Sequence, residues 1–109
     1  MKSSFLEKLL LFYEEDPGDP FNIYALALEY QKFDPLKAAE FFEMLLQKHP
    51  EYLPTYYHAA IFFANLDELE KADIIYKKGI KLAEESGNIK THGELQRAYR
   101  MFLDDQEEW

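Results

Sequence analysis

The side chains best suited to chemistry here are three histidines, three serines and several paired carboxylates, and their spacing argues against each chemical use. His49, His58 and His92 form no His-Glu-x-x-His or Glu-x-x-His pair, so no helix face is built to hold a metal. His49 directly precedes Pro50, at an expected helix C-terminus where positive charge is favourable. Ser3, Ser4 and Ser86 sit near a terminus or in a turn, with no glycine-flanked elbow and no obvious base. Glu14-Glu15 and Glu84-Glu85 fall on helix ends and solvated faces, whereas acid–base work needs burial and a shifted pKa. The absence of cysteine excludes thiol catalysis, disulfides and cysteine-ligated zinc, and is compatible with a reducing compartment. No glycine-rich phosphate loop is present. The chain is therefore read as a non-enzyme with no cofactor and no metal.

What must be positioned, then, is a surface. At 109 residues the chain is the size of one domain, and 48% apolar with 17% aromatic content is ample for a packed core. A net charge of -9 argues against nucleic acid and against anionic membrane, both of which call for a basic face. The run Phe5–Phe12 is broken by Glu7 and Lys8 and followed by Glu14, Glu15 and Asp16, which fits neither a cleaved leader nor a span. It reads as an amphipathic helix, and the protein as soluble and cytoplasmic.

Internal repetition organises the rest. A shift of 33 residues aligns Pro17 with Pro50, Ile23 with Tyr56, Leu26 with Ala59, Ala27 with Ala60, Tyr30 with Phe63, Asp34 with Asp67 and Leu36 with Leu69. A shift of 34 then carries Ala38 onto Ala72 and Phe42 onto Tyr76, as though one residue were missing near Lys37. Asp19-Pro20 and Asp34-Pro35 each set an N-cap acceptor before a proline suited to a first helical turn. Asp67 with Glu70 resembles a capping arrangement, and Gly87-Asn88 stops a long helix. Six helices are expected, over 3–15, 20–32, 35–48, 53–65, 68–85 and 89–104, with no strands because no stretch alternates with period two.

This pattern resembles the tetratricopeptide repeat, a helix–turn–helix unit of about 34 residues. The matching places are Ile23, Leu26, Ala27, Tyr30, Ala38, Phe42 and Pro50, then Tyr56, Ala59, Ala60, Phe63, Ala72, Tyr76 and Gly79. Gly79 costs about 1 kcal/mol inside a helix, for which close helix contact is the expected compensation. Leu45 stands where the family prefers a small residue, and Ala83-Glu84 replace the closing proline of the second repeat. Phe5, Leu9, Phe12 and Pro17 match Ala38, Phe42, Leu45 and Pro50, so residues 3–17 look like the second helix of a preceding repeat. Repeats then occupy 18–50 and 51–85, and 89–104 is a cap with Leu95, Ala98, Tyr99 and Phe102 inward, all within one domain, 1–109.

The resemblance implies an all-α, right-handed helical-repeat solenoid whose first helices line a concave groove for a peptide or helix of a partner protein. Carried over by position, the groove residues are Phe21, Tyr24, Leu28 and Lys32, with Tyr57, Ile61 and Asn65. Family members that grip the free carboxylate of chaperone tails use Lys and Asn at several of these places. Tyr24, Leu28, Tyr57 and Ile61 cannot form that clamp, so apolar or basic segments are the expected ligands. The alternative is self-association through the ends, by Phe5, Leu9 and Phe12 or by Tyr99, Phe102 and Trp109, giving a monomer or weak homodimer.

Overall fold

The computed structural model describes residues 4–107. Among them the chain forms α1 (Ser4–Glu15), α2 (Pro20–Tyr30), α3 (Pro35–Lys48), α4 (Pro54–Asn65), α5 (Leu69–Glu85) and α6 (Ile89–Glu107), and no strand. Number and order agree with expectation. Helix α2 stops at Tyr30 rather than at 32, and α6 continues past 104 to Glu107. The acidic tail is thus helical as far as Glu107, and Gln106 Nε2 donates to the Phe102 carbonyl at 3.2 Å. Glu108 and Trp109 lie outside the described residues, as does Ser3.

The helix ends follow from local chemistry. Asp19 accepts from the Phe21 amide at 2.9 Å and Asp34 from the Lys37 amide at 3.2 Å, each just before a proline that has no N–H to satisfy. Asp67 does not cap α5. It takes the left-handed conformation (φ 65°), and Glu68 occupies the N-cap position without a side-chain bond. Two backbone bonds, Glu68 N–H to Phe63 O and Asp67 N–H to Ala64 O, both 3.0 Å, make Asp67 the turning residue that closes α4. Gly87 (φ 72°) closes α5 the same way, and Asn88 then caps α6 by accepting from the Thr91 amide at 3.1 Å.

These caps also relocate the offset between repeats. N-cap Asp34 corresponds to Glu68 and Pro35 to Leu69, so the extra residue lies in the turn after Phe63 rather than near Lys37. A left-handed closure needs one more residue than the turn that follows Tyr30, and Asp67 supplies it.

The chain divides into two compact units, Met1–Thr55 and Tyr56–Trp109. In the first, Leu6, Ile23, Leu26, Ala27, Ala38, Phe42 and Leu45 are buried, each leaving at most 1% exposed. Fully burying a Leu, Ile or Phe contributes about 1.5–3 kcal/mol, while Ala27 and Ala38 keep α2 and α3 close. Phe41 takes Tyr30 in a stack (5.7 Å) and Tyr13 edge-on (5.7 Å), so one ring touches both α1 and α2. The Asn22 amide donates to the carbonyls of Phe12 (3.2 Å) and Asp16 (3.1 Å), a second bond to each beside those from the Asp16 and Asp19 backbone amides, and so ties the end of α1 to α2.

Helix α1 buries Leu6 and Leu9, whereas Phe5 and Phe12, matched to fully buried Ala38 and Leu45, are 56% and 52% exposed. Of these matched positions only Leu9, paired with Phe42, is buried as its counterpart is.

In the second unit, Gly79 lies where an added Cβ would meet Tyr56 Cβ at 2.6 Å, Tyr56 Cγ at 3.1 Å and Leu95 Cδ1 at 3.3 Å. The close approach expected of this glycine is present, between α5 and both of its neighbours. Tyr76 packs on Tyr99 (5.5 Å) and Phe102 (5.3 Å). Tyr99 Oη donates to Asp73 Oδ1 at 2.6 Å, and Lys77 Nζ lies 3.0 Å from the same carboxylate. That hydrogen bond holds Asp73 below the usual carboxylate range and raises the Tyr99 phenol. Phe102 is buried and Tyr99 half-buried, both packed on Tyr76 inside the unit, and Trp109 lies outside the described residues.

Candidate functional site

In the first unit the matched positions Tyr24 and Leu28 follow one another at i, i+4 on α2, Phe21 lies one turn before, and Lys32 falls in the turn beyond. Phe21 is 56% exposed, and its ring lies 6.4 Å from that of Tyr24. Tyr24 is half-buried and meets Tyr52 edge to face at 5.8 Å. Burial, then the neighbouring Tyr52, pushes the Tyr24 phenol up, and burial followed by the Asp19 carboxylate does the same for Tyr52. Both hydroxyls therefore stay neutral donors and acceptors well above physiological pH. Leu28 is half-buried, and Lys32 holds Glu29 at 3.0 Å with its own side chain 68% exposed.

In the second unit Tyr57, Ile61 and Asn65 run along one face of α4 at i, i+4, i+8. Tyr57 and Asn65 are exposed and Ile61 half-buried, and the Tyr57 ring stands edge-on to His58 at 5.3 Å. Partial burial lowers the His58 pKa. Each unit thus carries a short strip of rings and aliphatic carbon bordered by polar groups, a surface suited to contact more than to bond-making.

Two participants escaped the sequence reading. Tyr52, in the turn after α3, completes the ring cluster on Tyr24, and its place two residues beyond Pro50 was the available signal. Asn22 sets the end of α1 beside Phe21, and no periodicity points to it. Among the described residues no group of three His, Asp or Glu is placed to hold a metal, and no helix is long and apolar enough to cross a membrane.

Paired antiparallel-type helices with repeated alanine and aromatic positions define a helical-repeat protein, and the comparisons say which kind. The chain is similar to a tetratricopeptide repeat domain protein from Salinibacter ruber whose structure was determined in solution. The two are 38% identical over 86% of this chain and 96% of that one, with a TM-score of 0.79. The crystal structure of the tetratricopeptide repeat domain protein from the same organism agrees, at 38% identity and TM-score 0.73 over 78% of this chain and 97% of that one. The chain belongs to the tetratricopeptide repeat family. No protein-family model matches it, and neither does any curated protein.

Proposed function

We propose that the chain is a binding module, not an enzyme, and that it docks a short apolar or basic segment of a partner protein on its first helices. Phe21, Tyr24, Leu28 and Lys32 contribute from the repeat at 18–50, and Tyr57, Ile61 and Asn65 from the repeat at 51–85. The observation that carries the reading is the Phe21–Tyr24–Tyr52 ring cluster, open on one side, in a chain of net charge -9. Rings supply stacking area with few rotamers to freeze, and surrounding carboxylates favour cationic neighbours in the ligand. A chain without cysteine suits work in a reducing cytoplasm.

The test is selection of peptides from a random displayed library, followed by titration of the winners against the parent and a Tyr24→Ala/Tyr57→Ala variant of unchanged helicity. Apolar or basic winners that lose about tenfold or more in affinity for the variant support the reading. Equal affinity would move binding to another surface. Peptides ending in an acidic, chaperone-like tail are expected to bind weakly, and tight binding of one that salt abolishes would overturn the ligand class.

A further inference from the structure

One face of α1 is neither sealed nor simply polar. Ser4, Phe5, Lys8, Leu11, Phe12 and Glu15 recur at intervals of three and four and are all exposed. Phe5, Leu11 and Phe12 are 56%, 57% and 52% exposed. In α3 the positions matching Phe5 and Phe12 are Ala38 and Leu45, each 0% exposed. Two of the matched places are therefore presented to solvent on α1, with a ring at each, while Leu9, matched to Phe42, is buried.

The charges on that face identify its occupant. Lys8 and Glu15 are seven residues apart, about 10 Å or two turns along the helix. When two copies of α1 cross antiparallel about a two-fold axis at the level of Leu11 and Phe12, Lys8 of each comes opposite Glu15 of the other. A parallel pair would set lysine on lysine and glutamate on glutamate. We propose that α1 is a self-complementary seam through which two copies of this chain pair antiparallel, with Leu11 and Phe12 at the centre and Lys8–Glu15 pairs on either side. The seam lies on α1 and is independent of the rings on α2 and α4 proposed for ligand binding.

Its strength follows from its area. An aromatic side chain offers about 150–250 Å², so three residues slightly over half exposed supply roughly 300 Å² of apolar surface per copy. Stable interfaces use about 800 Å² per partner, and two copies of an acidic chain repel. The dimer is accordingly weak, with a dissociation constant of about 10 μM to 1 mM.

Sedimentation equilibrium of the full chain, up to about 1 mM, tests this with five variants of confirmed helicity. Phe12→Ser should abolish association. Lys8→Glu and Glu15→Lys should each weaken it roughly tenfold, because two surface pairs turn repulsive, and Lys8→Glu/Glu15→Lys together should restore it. The Tyr24→Ala/Tyr57→Ala variant should associate as the parent does, which separates failure of the seam from failure of the binding surface. A parent that stays monomeric at about 1 mM overturns the proposal. So does association indifferent to Phe12→Ser, or single charge reversals without effect.

Discussion

Replacing Gly79 by alanine inverts the usual expectation for a helix. In an unpacked helix this substitution stabilises by about 1 kcal/mol, because glycine leaves more backbone freedom to lose on folding. At Gly79 the new methyl would sit 2.6 Å from Tyr56 Cβ and 3.3 Å from Leu95 Cδ1, where carbon atoms prefer about 3.5–4.0 Å. Tyr56 is 4% exposed and Leu95 is fully buried, so neither can swing aside and the helices must part by about 1 Å. Such overpacking costs about 1–3 kcal/mol and more when the obstacle lies next to backbone. Taking about 3 kcal/mol and subtracting the propensity gain leaves a net loss of about 2 kcal/mol, or roughly 10 °C in melting temperature. Gly93 is the internal control. A methyl there meets only the tip of Arg97, Nη1 at 3.4 Å, so Gly93→Ala should gain about 1 kcal/mol. Urea and thermal melts followed by circular dichroism at 222 nm compare the two. A Gly79→Ala variant as stable as the parent would refute the argument that contact with Tyr56 selects glycine.

Tyr30→Ala and Phe63→Ala should each cost about 3–5 kcal/mol in the same melts, since Tyr30 is 7% and Phe63 1% exposed; parent-like melting would show the repeat register to be wrong. Asp67→Gly should stabilise by up to about 1 kcal/mol by relieving a left-handed non-glycine residue, and Gly87→Ala should destabilise for the converse reason. Burial lowers the His58 pKa from its usual 6.5. The stability linked to that shift is fully present above about pH 6.5 and is lost as pH falls through the lower folded value. Replacing His58→Gln should flatten that part of the stability–pH curve, read by urea melts between about pH 7 and 5, and an unchanged slope would assign the acid sensitivity elsewhere.

The helices were legible because their signals are local. Asp19-Pro20 and Asp34-Pro35 declare a cap and a first turn within two residues, and the recurrence of Ile23, Leu26, Ala27 and Tyr30 at Tyr56, Ala59, Ala60 and Phe63 places the buried face. Asp67 was misjudged because aspartate serves equally as an N-cap acceptor and as a left-handed turn residue. The choice went to closing α4, where two backbone bonds outweigh one side-chain bond. Phe5 and Phe12 match packing positions in type, yet both are over half exposed, because a match of type does not say whether a neighbour covers them. The Tyr24–Tyr52 contact joins residues far apart in the chain, which no periodicity encodes. Which side chains could line a binding strip was therefore readable, while the ring that completes the cluster was not.

The Asn22 amide, bonded to the Phe12 and Asp16 carbonyls, fastens the C-terminal turn of α1 to α2 through one side chain. Opening of α1 should therefore run like a zip from its start, with amide protons near Phe12 exchanging with solvent more slowly than those near Leu9. Asn22→Ala should erase that gradient without changing the order of exchange in α3, so one carboxamide sets the direction in which the helix comes away.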